Sequence, residues 1–416
     1  MATLALPILD APLLRDAVPR DLCTDCGISR TSEPARCGTA CQFIHADYDA
    51  LETQVHGRTR DAARGDELFF GPYRRMLRAR MAEPADGAQW TGITTAIAAQ
   101  LLKRGLVDAV LATASDPNDR WAPRPVIVTR AEDMAHCRGM KMGYSPVLAL
   151  LDDAAARGYK RLAIVGIPCQ VHALRALEAS LGLDRLYVIG TPCSDNTTID
   201  RFHEFLNLLD PHPERITYLE FRPDMKVELR FEDRSVRTIA FAMLPMSKLP
   251  TDFFPVTCRS CFDYTNSLAD ITVGYIAGEM EQWLLVRTAR GEELLDLLGD
   301  DVVTSALASA GNRAAPVSAF LKQTARVLNG LPMQRAPKLI RPLVGWMMTR
   351  FRPRGLEFAR ARVDMKMGEG ILTLRRHHPR RMKRMVPAHA WQLAAAYGIR
   401  PEPGELMDDS ARGAQA

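Results

Sequence analysis

Long apolar runs are scarce in this 416-residue chain. None approaches the ~18 residues that a membrane-spanning helix needs, so no transmembrane segment is expected. The opening stretch, MATLALPILDAPLLRD, has no basic leader and is interrupted by Asp10, so no signal peptide is read there. The expected compartment is the cytoplasm, where thiols stay reduced and disulfides are rare. Two phosphate-binding signatures are missing. There is no Gly-x-Gly-x-x-Gly turn and no glycine-rich loop ending in Gly-Lys-Ser/Thr, which excludes the standard dinucleotide turn and the P-loop. A net charge of +5 is too mild to argue for nucleic acid. The one strongly basic run, RRHHPRRMKR (375–384), has no interleaved aromatic and no binding motif beside it, so no nucleic-acid partner is expected. It reads as a solvated face, with steering of an acidic partner as its further use.

Cysteine, by contrast, is plentiful for such a compartment: there are nine, and they are not scattered. Cys23, Cys26, Cys37 and Cys41 form C-x2-C-x10-C-x3-C in a stretch rich in Gly, Ser, Thr and Pro. Four thiolates on a compact loop can enclose one tetrahedral ion or one 4Fe-4S cubane. Cys169 and Cys193 share a repeated context. RLAIVGIPCQ runs an apolar strand into Gly-Ile-Pro-Cys, and LYVIGTPCSD runs another into Gly-Thr-Pro-Cys; a helical stretch follows each (171–181 and 198–208). Strands alternating with helices imply a parallel sheet. Both cysteines then emerge at carboxyl ends of neighbouring strands, where open α/β sheets build sites. Cys258 and Cys261, in CRSCFDYTNSLADITVGYIAGEMEQWLLV, can complete a second set of four. The bland alternative is that Cys169 and Cys193 are small buried residues. Cys137 is left over, as a plain thiol or a substitute in the second set.

In AQWTGITTAIAAQLLKRG, Thr91 can cap a helix with apolar residues at helical spacing, ended by Gly105. Thr91, Gly92, Thr94 and Thr95 at its start make a seat for a phosphate, or an ordinary capped helix. Residues 46–88 read as charged and irregular, with LFFGPY packing a loop onto the main domain. Lys141, Tyr144 and Ser145 stand where a methionine-rich loop meets the next helix. Residues 215–242 alternate polar and apolar, as antiparallel strands do. Beyond residue 290 the chain reads as helical and basic, and its last few residues as disordered. Two four-cysteine centres in an α/β protein suggest an electron wire, with a flavin to turn single electrons into hydride. The rival from another class is a zinc-stabilised binding module.

Together these motifs resemble a known family. GIPCQVHALRALE, LYVIGTPCSDN and CRSCFDYTNSLADITVGYIAGEMEQWLLVRTARGEELL are similar to the beta subunits of coenzyme F420 hydrogenases and dehydrogenases. CTDCGISR, RCGTACQFI and AQWTGITT look like its branch of ferredoxin-dependent reductases of the 8-vinyl group of divinyl chlorophyllide. The resemblance implies an oxidoreductase acting on a CH–CH bond in (bacterio)chlorophyll synthesis. It implies FAD and two 4Fe-4S clusters, one on Cys23, Cys26, Cys37 and Cys41, the other on Cys169, Cys193, Cys258 and Cys261. Gln89, Trp90, Thr91, Gly92, Thr94 and Thr95 would contact the FAD. Reduced ferredoxin would be the donor and a divinyl chlorophyllide-type tetrapyrrole the substrate. Sister reductases of 7-hydroxymethyl chlorophyll or of a deazaflavin are the alternative activities. Tyr144, His172, Asp195 and Glu279 are candidate proton donors by loop position. The expected architecture is α/β with α+β elements: a parallel-sheet core with helices and an antiparallel strand segment. It divides into an iron-sulfur module (1–45), a flavin-binding domain (46–210), antiparallel strands plus the C-x2-C segment (211–300) and a helical basic region (301–416).

Overall fold

The structure, a computed structural model, describes residues 14–18, 20–222, 224, 226–275, 281–326, 337, 339–340, 342–343, 346 and 350–406. Glu279, most of the GYIAGE loop and the tail expected to be disordered lie outside the described residues.

In chain order, β1 (Arg75–Met81), β2 (Ala109–Ser115), β3 (Pro123–Val128), β4 (Arg161–Gly166) and β5 (Arg185–Gly190) belong to one eight-stranded sheet. β6 (Ile216–Phe221), β7 (Lys226–Phe231) and β8 (Val236–Ala240) form a separate antiparallel sheet, as the alternating pattern predicts. β9 (Ile271–Tyr275), β10 (Gln282–Val286) and β11 (Val302–Ser305) return to the large one. Its spatial order is β11-β1-β10-β9-β5-β4-β2-β3. The strands β2, β4, β5 and β9 run parallel, while the pairs on either side of them are antiparallel. The expected parallel core is therefore the middle of a mixed sheet. The short link between β9 and β10 allows only antiparallel pairing, because a parallel return needs a long crossover.

The middle strands are buried on both faces, so they read as unbroken apolar runs. Ala163 and Tyr187 face the helix Ile93–Lys103, whose Ile93, Ile97 and Leu101 are fully buried. Leu162, Ile164 and Val188 face the helix Pro168–Leu177. The two-residue period of the strands divides these layers. Residues 46–88 are more regular than expected: they hold the helix Tyr48–His56 and β1. Arginines at 75, 78 and 80 hide β1 as a strand, yet Ala79 is fully buried between β10 and β11. Phe70 of the LFFGPY patch packs edge-on to Trp283 at 5.0 Å, the docking expected of it.

Asp270, fully buried at the start of β9, pins these layers together. Its carboxylate accepts from Val188 N (2.8 Å), Thr288 Oγ1 (2.7 Å) and Arg290 Nε (3.2 Å), and pairs with the equally buried Arg175 (3.1 Å). Burial opposes its ionisation, but Arg175 and Arg290 outweigh this and hold its pKa below the ordinary carboxylate value. A depressed carboxylate contributes stability above its unfolded pKa and loses it as pH falls through the folded one. Replacing Asp270 with Ala leaves the buried Arg175 with Glu178 alone (2.8 Å) and Val188 N and Thr288 Oγ1 without their acceptor, and should cost about 3–5 kcal/mol. Denaturant unfolding midpoints at neutral pH check this; a loss well under about 1 kcal/mol would show that Asp270 is not the pin.

Candidate functional site

β4 and β5 deliver two of the cysteines. Gly166 ends β4 and Pro168 opens the next helix, so Cys169 rides its first turn. Gly190 ends β5, and Thr191-Pro192-Cys193 leads away from it; the following helix starts at Ile199, capped by Thr198. The turn after the C-x2-C closes over both strand ends. Asn266 Nδ2 donates to Gly166 O (2.8 Å) and to Thr191 O (3.2 Å), and Cys193 N donates to Tyr264 O (3.0 Å). A Cβ at Gly190 would stand 2.7 Å from the Asn266 carboxamide, so the glycine there is required by the close approach. Cys258 lies on the short helix Val256–Arg259, with Cys261 just past its end. Burial, with the charges of Cys258 and Cys261 adding, raises the Cys193 thiol; burial, with Cys193 and Cys261 adding, raises Cys169. The four thus sit within one another's fields.

Cys23, Cys26, Cys37 and Cys41 all line one small cavity of about 30 Å³. That exceeds the ~10–15 Å³ needed by a lone water. Among the described residues, no three His, Cys, Asp or Glu side chains are set to hold a single metal ion. Burial pushes Cys41 up to about 11 and Cys258 up to about 12, so neither ionises alone near neutrality. A cationic centre is what turns such thiols into thiolate ligands. Thiols standing around a void fit an iron-sulfur group, each of whose irons takes one sulfur. Amide donors already reach the sulfurs: Asp25 N to Cys23 Sγ (3.2 Å) and Gln42 Nε2 to Cys261 Sγ (3.6 Å). Gln42 follows Cys41 directly, so the two sets are neighbours.

A cavity of about 1370 Å³ opens at the carboxyl ends of β2, β4 and β5, with Cys193 on its wall. It exceeds the ~300–1,000 Å³ of a usual ligand pocket, leaving room for a nucleotide cofactor and a second flat molecule. Gln89, Trp90, Gly92, Thr94 and Thr95 all line it. Thr91 does not, and neither does it cap the helix. Its Oγ1 donates to Gln282 Oε1 (2.7 Å) and accepts from Met81 N (3.1 Å), fastening β1 to β10. The cap is Gly92, whose φ of 89° suits glycine, and the helix begins at Ile93. Trp90, Tyr275 and Phe358 form an aromatic row on the wall, with ring centroids 4.5 and 5.9 Å apart. Lys141 and Ser145 line the cavity too, and burial pushes Lys141 down to about 8.

Of the candidate proton donors, Asp195 lies on the cavity wall, where it accepts from Lys366 Nζ at 2.7 Å. Tyr144 points elsewhere, its hydroxyl 3.9 Å from Cys258 Sγ. His172 is buried away from the cavity. Its Nδ1 lies 3.1 Å from Ala40 O and burial pushes it down to about 4, so it fastens the first cysteine module to the helix of Cys169. Sequence reasoning missed Lys366 and Glu369, which reach the same wall from the helix Leu356–His377. Lys366 is 3% exposed and also donates to Cys258 O (2.6 Å). Glu369 accepts from Arg259 Nε (3.2 Å), and burial, then the charge of Asp195, raises its pKa. The signal was there: two ionisable residues i,i+3 on a helix stretch otherwise built of Met, Gly and Ile. The basic run is less solvated than expected. Arg375 pairs with Glu405 (2.7 Å), and Arg381 Nη1 donates to Phe43 O (3.2 Å), beside the first cysteine set.

Two family models match this chain. One, described as coenzyme F420 hydrogenase/dehydrogenase, beta subunit N-term, covers residues 76–152, and its C-terminus counterpart covers residues 159–307. A 7-hydroxymethyl chlorophyll a reductase (chloroplastic) of Oryza sativa subsp. japonica is 36% identical over 392 residues, 91% of this chain and 83% of that protein. The chain belongs to the coenzyme F420 hydrogenase/dehydrogenase beta-subunit family. Another relative, an uncharacterised protein of Nostoc sp., is 37% identical over 381 residues, 91% of this chain and 94% of that one. One component of the F420H2 dehydrogenase of Methanosarcina mazei is 30% identical over 52% of this chain and 60% of its own. The fold also matches a chain of the F420-reducing [NiFe] hydrogenase complex from Methanosarcina barkeri, with a TM-score of 0.52 at 19% identity, over 72% of this chain and 91% of that one. The first cysteine set and the Leu356–His377 helix lie outside both family-model spans.

Replacing Cys258 with Ser should lower the iron content of anaerobically purified protein by about four per chain, one cubane's worth. Cys137→Ser should leave it unchanged. Iron and acid-labile sulfide analysis checks both; retained iron in the Cys258 variant removes that residue from the ligand set.

Proposed function

We propose that this chain is an iron-sulfur flavoprotein reducing a chlorophyll-type tetrapyrrole, and specifically the 8-vinyl group of divinyl chlorophyllide to ethyl. The observation that carries this reading is the large cavity with an aromatic row on its wall and Cys193 beside it. A flat apolar macrocycle suits such a row. The long match to a 7-hydroxymethyl chlorophyll a reductase supports the substrate class and favours a second reading, reduction of the 7-hydroxymethyl group. Two 4Fe-4S clusters and FAD, when bound, would supply single electrons and their pairing into hydride.

The residues of the chain do the rest. Thr94, Thr95 and Gly92 offer hydroxyl and backbone donors for a nucleotide phosphate, with Lys141 near. Cys193 and its partners would hold a cluster at the cavity wall, and the Gln42 bridge sets the first cysteine set behind them. Arg380 and Arg384, exposed beside that first set, suit an acidic donor such as reduced ferredoxin. Vinyl reduction takes up two electrons and two protons. Glu369, held against Arg259 and kept partly protonated by burial, is the group we assign to deliver a proton through the Asp195–Lys366 pair.

With reduced ferredoxin under anaerobic conditions, divinyl chlorophyllide should yield the 8-ethyl product. Conversion of 7-hydroxymethyl chlorophyll a alone would move the assignment to the second reading, and a fully iron-loaded protein inert on both would sink the class. Glu369→Gln should slow turnover by about 10²-fold, as loss of a general acid does. A general acid works only while protonated, so the variant should also lose the fall in rate above the acid's pKa. An unchanged pH–rate profile would take Glu369 out of the proton path.

A further inference from the structure

Basic side chains outnumber carboxylates on the cavity wall, where Asp195 and Glu369 are the acids among the described residues. Four of the eight cations there are matched to acids. Lys366 pairs with Asp195 (2.7 Å), Arg259 with Glu369 (3.2 Å), Arg222 with Glu228 (2.6 Å) and Lys226 with Asp224 (3.2 Å). Arg138 and Lys141 donate instead to backbone carbonyls, of Asp86 and of Arg138, and Arg352 and Arg362 have no acid paired with them among the described residues. Arg352 Nε and Nη1 are buried without a hydrogen-bond partner, and Asp224, the carboxylate whose charge acts on it, is paired with Arg222 (3.4 Å) and Lys226 (3.2 Å). Arg362 Nη2 donates to the Ser194 hydroxyl, and its guanidinium lies 5.9 Å from the Tyr264 ring centre. Both guanidiniums act on Tyr275, the middle of the aromatic row. A buried cation without a counter-charge is costly, and a guanidinium presents a fork that fits a carboxylate.

Resting on the tetrapyrrole reading above, we infer that Arg352, with Arg362 beside it, anchors a free carboxylate on the substrate, so that the site takes the acid form of the pigment in preference to its ester. A ring laid along Trp90, Tyr275 and Phe358 brings an acidic side chain to these guanidiniums. A cofactor phosphate is the other anion they could meet, but the phosphate seat at Gly92, Thr94 and Thr95 belongs to a different element of the fold. The anchor also separates the two substrate readings, because an esterified pigment has no such carboxylate.

The test titrates divinyl chlorophyllide and its methyl ester into the full-length, anaerobically purified protein, following pigment fluorescence, with flavin and iron measured on the same samples. The acid should bind about tenfold tighter than the ester, the scale of one charged hydrogen bond. Arg352→Met should bring the two within about twofold with flavin content unchanged, and Arg352→Lys should keep part of the preference. Equal binding of acid and ester by the unaltered protein overturns the anchor. Loss of flavin from the Met variant assigns the arginine to cofactor phosphate and overturns it as well. Failure of both pigments to bind a protein that keeps flavin and iron overturns instead the tetrapyrrole reading beneath it.

Discussion

One side-chain amide holds the site together. Asn266 donates to the carbonyl that ends β4 and to the one just past β5, so the turn after the C-x2-C is laid across both strand ends. The four thiols of that set come from three separate stretches of chain, and closing such long loops costs entropy that local contacts must offset. Asp263 stiffens the turn by accepting from Ser267 N (2.9 Å) and Oγ (3.1 Å), and Asp270 then locks its exit to β5. Without this clamp Cys193 would not face both its partner thiols and the cavity.

From that junction the order of chemistry follows the order of burial. The first cysteine set lies behind the second, joined through Gln42, whose Oε1 is itself fixed by the Tyr48 hydroxyl at 2.8 Å. His172 belongs to this joint: as a neutral, buried imidazole it binds Ala40 and stacks edge-on to Tyr48 at 5.3 Å. Its role is structural, and the burial that pushes its pKa down to about 4 leaves it without a proton to donate near neutrality. Charge instead gathers on the cavity side, where Lys366 sits against Cys258 O and Asp195. Burial resists the Lys366 ammonium, yet Asp195 and Glu369 outweigh that and raise its pKa, so the cluster stays charged beside the thiols.

What could be read in advance was what repeats or is locally self-contained. Gly-x-Pro-Cys occurs twice after apolar strands, and its geometry depends on strand, turn and helix alone. β9 was legible for the same reason. The clamp was not, because Asn266 acts on carbonyls 75 and 100 residues away. Thr91 looked like a cap because its neighbours are those of a helix start; a glutamine 191 residues on, Gln282, claims its hydroxyl instead. β1 was hidden by its arginines, since an alternating charged strand near a sheet edge resembles a solvated loop. Lys366 and Glu369 were passed over because an isolated helix gives no sign that its polar face meets a cavity.

The family spans and the cavity wall do not coincide, and that bears on what sets the substrate. Residues 76–152 and 159–307, the spans the two family models match, supply the sheet, the strand-end cysteines and the helix start at Gly92. Arg352, Phe358, Arg362, Lys366 and Glu369 close the other side of the same cavity from outside those spans. A scaffold of this kind, if it delivers electrons to the strand-end cavity as proposed, does not by itself choose what lies there. On the tetrapyrrole reading, selection falls to the wall that lies outside the two matched spans. In this chain that wall is the stretch leading into the Leu356–His377 helix and its first turns, and its guanidiniums, carboxylate and aromatic ring set the charge and shape that a substrate must match.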